Sequence, residues 1–94
     1  MRLHPNEMRA IRQVLLEADP QGRIYLFGSR TNDAGRGGDI DVFFDASKIL
    51  ALKTKLALEY QLTNLCETKV DLLVKSPEQA ETAIFSIARK GILI

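Results

Sequence analysis

Cysteine and histidine are all but missing from this 94-residue chain, where Cys66 and His4 stand alone. One cysteine excludes an internal disulfide, and the two residues together cannot furnish the Cys/His ligand set of a usual zinc site. Charge of one sign is missing too. Thirteen basic and twelve acidic residues leave a formal +1, which is no electrostatic footprint for stable nucleic-acid binding. No apolar run approaches the ~20 residues of a membrane span. The opening residues carry no signal-peptide pattern, so the cytoplasm is the expected compartment. The length suits a single domain over residues 1–94, with one modest core and little room for a second lobe. At 46% hydrophobic and 27% charged, the composition is that of an ordinary soluble globular domain.

What is present is a clear alternation of element types. Met8, Ile11, Leu15 and Ala18 recur at helical spacing, so a helix is expected over 5–18, with Pro5 in its first turn and Asp19-Pro20-Gln21-Gly22 as stop and turn. Residues 23–28 and 39–44 read as strands, as does Lys69-Val70-Asp71-Leu72-Leu73-Val74. A long helix is predicted over 47–65, with Ile49, Leu52, Leu56 and Tyr60 among its apolar positions. Ser76-Pro77-Glu78-Gln79 has the form of a helix start, leading into a stripe of Ala80, Ala83, Ile84, Ile87 and Ala88 that Gly91 stops. Ten residues between the first two strands are too few for a parallel crossover, whereas 45–68 holds a helix and suffices for one. The expected fold is α/β: a small mixed sheet of three strands flanked by α-helices.

The chemistry concentrates in two short segments. Gly28-Ser29-Arg30 follows the first strand, and Asp39-Ile40-Asp41 opens the second. Asp39 and Asp41 share a strand face, and Asp71 lies on the face of its strand that Lys69 and Leu73 share. If those faces coincide, three carboxylates converge. Hard oxygen donors of this kind suit Mg²⁺ together with substrate phosphates. Asp39 and Asp41 are the principal metal candidates, and Asp71 is either a third ligand or the base for an attacking hydroxyl. Gly28 would let the backbone approach a phosphate, Ser29 would hydrogen-bond it, and Arg30 could neutralise it. Taken singly, each part has a plainer meaning: Gly-Ser as a turn, Asp-x-Asp as a solvated edge strand, Asp71 as a solvated residue. Without metal, three like charges should repel and loosen the site. The apolar tail Ile92-Leu93-Ile94 either packs on the sheet or offers a docking surface.

Phe27-Gly28-Ser29-Arg30, then Asp39-Ile40-Asp41, then Val70-Asp71-Leu72-Leu73 resemble the minimal nucleotidyltransferases of the polymerase-β-type superfamily, with their Gly-Ser-x₉₋₁₀-Asp-x-Asp signature. Nine residues separate Ser29 from Asp39, the short end of that spacing. The resemblance implies the nucleotidyltransferase fold, ATP as nucleotide donor held by Gly28 and Ser29, and Mg²⁺ bound by Asp39 and Asp41 with Asp71 as third carboxylate. It also implies a role as antitoxin, transferring AMP to a tyrosine of a helical HEPN-type toxin partner in a hetero-oligomer. The alternative is a non-catalytic module that neutralises a partner by binding alone.

Overall fold

The structure, a computed structural model, describes residues 4–28 and 39–94. Its first helix, α1 (Pro5–Ala18), begins where side chains meet the backbone's unpaired donors. His4 Nδ1 accepts from the Asn6 N–H at 3.2 Å, and Glu7 returns a carboxylate to the His4 N–H at 2.9 Å. After α1 come β1 (Arg23–Phe27), β2 (Ile40–Asp45), α2 (Leu52–Cys66), β3 (Val70–Lys75), α3 (Ala83–Arg89) and β4 (Ile92–Leu93). The strands form one mixed sheet in the order β3-β2-β1-β4. β1 is antiparallel to β2 and β4, and β2 is parallel to β3, as the connection lengths require. Among the described residues no helix is long and apolar enough to cross a membrane.

Alternation along the strands sorts side chains onto two faces. One face presents Ile24, Leu26, Ile40, Val42, Phe44, Val70 and Val74 to α1 and α2, which contribute Ile11, Leu15, Leu58 and Leu62. Each such side chain contributes about 1.5–3 kcal/mol when fully buried. The opposite face carries a smaller cluster of Tyr25 and Phe43 under Phe85 and Ala88 of α3. Phe43 stacks between Tyr25 and Phe85, at centroid distances of 5.6 and 5.7 Å. Arg89 closes this cluster. Its guanidinium lies 5.3 Å from the Phe43 centroid and pairs with Asp45 at 2.6 Å and Glu81 at 2.9 Å. Those two carboxylates, Glu81 foremost, hold it more firmly protonated than usual.

Three expectations change. The sheet has four strands, because Ile92 and Leu93 pair with Leu26 and Tyr25. Two residues are too short to show a period in sequence, and the pairing depends on Gly91, where any Cβ would overlap the Leu26 carbonyl. The last helix starts at Ala83, not at Ser76. Ser76 and Gln79 form only half of the capping pair: the Ser76 N–H donates to Gln79 Oε1 at 2.8 Å, but the Gln79 N–H donates to the Ser76 backbone carbonyl at 3.0 Å and not to the hydroxyl. They close a turn instead, because the chain must travel from β3 at the sheet edge to reach Tyr25 and Phe43 before a helix is useful. α2 starts at Leu52 and buries Leu58, Leu62 and Cys66, leaving Ile49, Leu52, Leu56 and Tyr60 59–72% exposed. Apolar residues on two sides of one helix left the buried side undetermined by spacing.

α2 also covers the outer edge of β3. Glu59 accepts from the Leu72 N–H at 2.8 Å, and Thr63 Oγ1 from the Val70 N–H at 3.0 Å. Two side chains one helical turn apart thus stand in for a neighbouring strand and blunt an edge that could pair with another chain.

Asp19, buried just after α1, ties the end of that helix to Ser47, which follows β2. It accepts from the Ser47 N–H and hydroxyl, each at 2.6 Å, and from the Gln21 N–H at 3.3 Å. Burial opposes its charge, but the bonds from Ser47 and Gln21 outweigh it and hold the carboxyl below its ordinary pKa. Asp19→Ala is expected to lower stability by about 1–3 kcal/mol in urea denaturation near neutral pH. A depressed folded pKa means the carboxylate's contribution is present above about pH 4 and lost as pH falls through the folded value. The gap between wild type and Asp19→Asn should therefore shrink on acidification. A constant gap from about pH 7 to about pH 3 would contradict this role.

Candidate active site

The site forms at the end of the smaller face that α3 leaves uncovered. Asp39 immediately precedes β2, and the Ile40 N–H donates to the Lys69 carbonyl at 2.9 Å, which sets the parallel register of β2 and β3. In that register Asp41 lies directly opposite Asp71. On its other side Asp41 faces Phe27, the last residue of β1. Equal parity places Asp39, Asp41 and Asp71 on the face of Phe43 and Leu73, so the three acids share one side of the sheet. A shallow groove runs over this spot, lined by Phe27, Asp41, Glu59, Asp71, Leu73 and Ile84.

Gly28 meets this group through its backbone. Its φ of +77° is left-handed, and a Cβ there would overlap the Asp41 carboxylate. Glycine is therefore required twice over, for conformation and for space. Ser29 and Arg30, the other two candidate nucleotide contacts, lie outside the described residues.

Electrostatics separate the three acids. Asp41 is the most enclosed, and its pKa is raised, first by burial and then by the charges of Asp71 and Asp39. Asp39 and Asp71 are about half exposed, at 49% and 45%, and both face Lys69. Its ammonium lies 3.6 Å from Asp71 Oδ1 and 3.9 Å from Asp39 Oδ2. In the sequence, the one signal that Lys69 joins the acids is its parity with Asp71. The repulsion expected to loosen the site is thus partly answered from within the chain. Glu59 was missed, because nothing in a helix's spacing tells which backbone donor a carboxylate will reach.

The donor chemistry suits Mg²⁺, which needs only a few carboxylate oxygens and takes its other ligands from water and phosphate. Among the described residues, no group of three or more His, Cys, Asp or Glu side chains is arranged to hold a metal ion in this conformation. The cation within reach of these acids is instead the Lys69 ammonium, near Asp39 and Asp71.

The sequence model of the family described as "Polymerase beta, Nucleotidyltransferase" matches residues 10–94. No curated protein matches. Two toxin–antitoxin complexes are among the solved structures similar to this chain. One is a crystal structure of the toxin–antitoxin MntA-HepT, with a TM-score of 0.69 and 26% identity over 94% of this chain and 68% of that one. The other is a D39E, D41E mutant of the toxin–antitoxin MntA-HpeT, with a TM-score of 0.62 and 28% identity over 73% of this chain. The match spans little more than half of that second chain, 56% of its length.

Gly28→Ala should lower stability by about 1–2 kcal/mol, the cost of a left-handed conformation for a residue bearing a Cβ, with the overlap on Asp41 added. In a double-mutant cycle with Asp41→Ala, removing the carboxylate relieves the overlap. A coupling of at least about 0.5 kcal/mol is expected from urea denaturation. Additive losses would show that the Gly28 turn and Asp41 do not touch.

Proposed function

The chain belongs to the polymerase beta nucleotidyltransferase family, and from that footing we propose that it is a Mg²⁺-dependent nucleotidyltransferase acting as an antitoxin. In this reading it transfers AMP from ATP to a hydroxyl, that of a tyrosine, on a helical HEPN-type toxin partner. The observation that carries the proposal is the β2–β3 register, which sets Asp71 opposite Asp41 and beside Asp39 next to the Gly28 turn. The two toxin–antitoxin structures support the partner class. In one of them the substituted acidic pair has the same two-residue spacing as Asp39 and Asp41.

The reaction assigns each residue a task. The acceptor hydroxyl oxygen attacks the α-phosphorus of ATP, the bond from that phosphorus to the α,β-bridging oxygen breaks, and pyrophosphate leaves with the electron pair. Asp71, with about half its side chain open to solvent, takes the hydroxyl proton. Asp39 and Asp41 would hold Mg²⁺, which when bound offsets the negative charge of the triphosphate. Gly28 keeps the backbone clear for the phosphates, and the expected role of Ser29 is to hydrogen-bond them.

A second reading has its own observation. Ile49, Leu52, Leu56 and Tyr60 form an exposed apolar line along and just before α2, which suits a module that neutralises a partner by contact alone.

Incubation with α-labelled ATP, Mg²⁺ and the protein encoded beside this one should label that protein. Asp71→Asn should slow labelling by about 10²–10⁴-fold, and EDTA should abolish it. The Asp39→Asn/Asp41→Asn double variant decides between the readings. Loss of neutralisation with the complex intact supports catalysis, and full neutralisation by the double variant supports the contact module.

A further inference from the structure

Lys69 sits on the site in a way that the transfer reaction does not use. Its carbonyl is bound by the Ile40 N–H, so the root of the side chain is fixed between the starts of β2 and β3. The ammonium is shared between Asp71 Oδ1 at 3.6 Å and Asp39 Oδ2 at 3.9 Å. Both separations are longer than a hydrogen bond. The charge is therefore balanced between two carboxylates rather than committed to one. With 67% of its side chain exposed, the lysine can leave by rotating its unbranched stem, with no movement of the sheet. Among the described residues, the ion pairs that reach these acids both come from Lys69.

We propose that Lys69 is a built-in counter-ion that occupies the space between Asp39 and Asp71 until a divalent cation displaces it. The proposal rests on the reading that these acids hold Mg²⁺. A mobile ammonium can satisfy two carboxylates without demanding octahedral ligands, so it keeps the metal-free site assembled. Its removal leaves the three acids one positive charge poorer, which favours a cation from solution. Lys69 thus weakens the hold on bare metal, and the site fills most readily when the metal arrives with a triphosphate that brings further ligands. Lys69 acts here as a positioning residue, through the carboxylates.

The test uses the full chain and Mn²⁺ alone, with free Mn²⁺ followed by electron paramagnetic resonance. Wild type, Lys69→Gln, Asp41→Asn and the control Lys53→Gln are compared. Lys69→Gln should bind Mn²⁺ about two- to five-fold more tightly than wild type, the range of an exposed ion pair. Lys53→Gln, the same charge change on α2, should match wild type. In thermal unfolding, Lys69→Gln should melt below wild type in EDTA, with the difference narrowing or reversing at saturating Mn²⁺. Equal or weaker binding by Lys69→Gln, or equal tightening by Lys53→Gln, overturns the counter-ion role while leaving the metal site standing. Wild type that binds Mn²⁺ no better than Asp41→Asn overturns both the counter-ion role and the metal reading beneath it.

Discussion

The pairing of β2 with both its neighbours is the constraint from which the rest follows. One backbone bond, from the Ile40 N–H to the Lys69 carbonyl, starts the parallel ladder and with it decides what Asp41 faces. A slip of one residue would turn Asp41 and Asp71 to opposite faces and bury one of them in the main core. The same ladder carries Ile40, Val42 and Phe44 into that core, where each is fully buried. The apolar residues of β2 thus hold the register, and the acidic residues between them inherit their positions. Stability and site geometry share one strand, read on its two faces.

The smaller face is divided between two tasks. At one end the Tyr25–Phe43–Phe85 stack and the Arg89 ion pairs fasten α3 to the sheet. At the other end the sheet is left open, and three carboxylates gather beside the Gly28 turn. Acidic residues stand at both ends, with different partners. Asp45 is paired to a mostly covered arginine at 2.6 Å and is committed to structure. Asp39 and Asp71 are opposed only by an exposed lysine at longer range, which leaves them able to change partners. That difference in commitment distinguishes the two ends of the sheet.

Much of this was legible beforehand, for reasons that particular residues make plain. The 5–18 helix was visible because Ile11 and Leu15 repeat at its period and Pro5 and Asp19 bracket it. The antiparallel and parallel pairings followed from connection lengths alone. Asp71 could be joined to Asp39 and Asp41 because strand parity is strict. Ser76–Gln79 begins no helix although Gln79 caps the Ser76 N–H, since the Gln79 N–H binds the Ser76 carbonyl and closes a turn. Along α2 two apolar lines compete, and Leu58 and Leu62 are the ones that join the buried cluster holding Val42 and Val70.

The sequence by itself determined the make-up of the candidate site: three carboxylates of matching parity, a glycine turn, no thiol or imidazole set, and a mixed sheet to carry them. These are properties of residue type and short-range spacing, which the covalent chain holds without folding. Only the tertiary structure decided the partners: Lys69 between Asp39 and Asp71, Asp19 on Ser47, Glu59 on the edge of β3, and Ile92–Leu93 as a strand. Each of these joins segments far apart in the chain or depends on which of two apolar faces is buried. Such choices are settled by the free energy of packing the whole core, to which no local pattern has access.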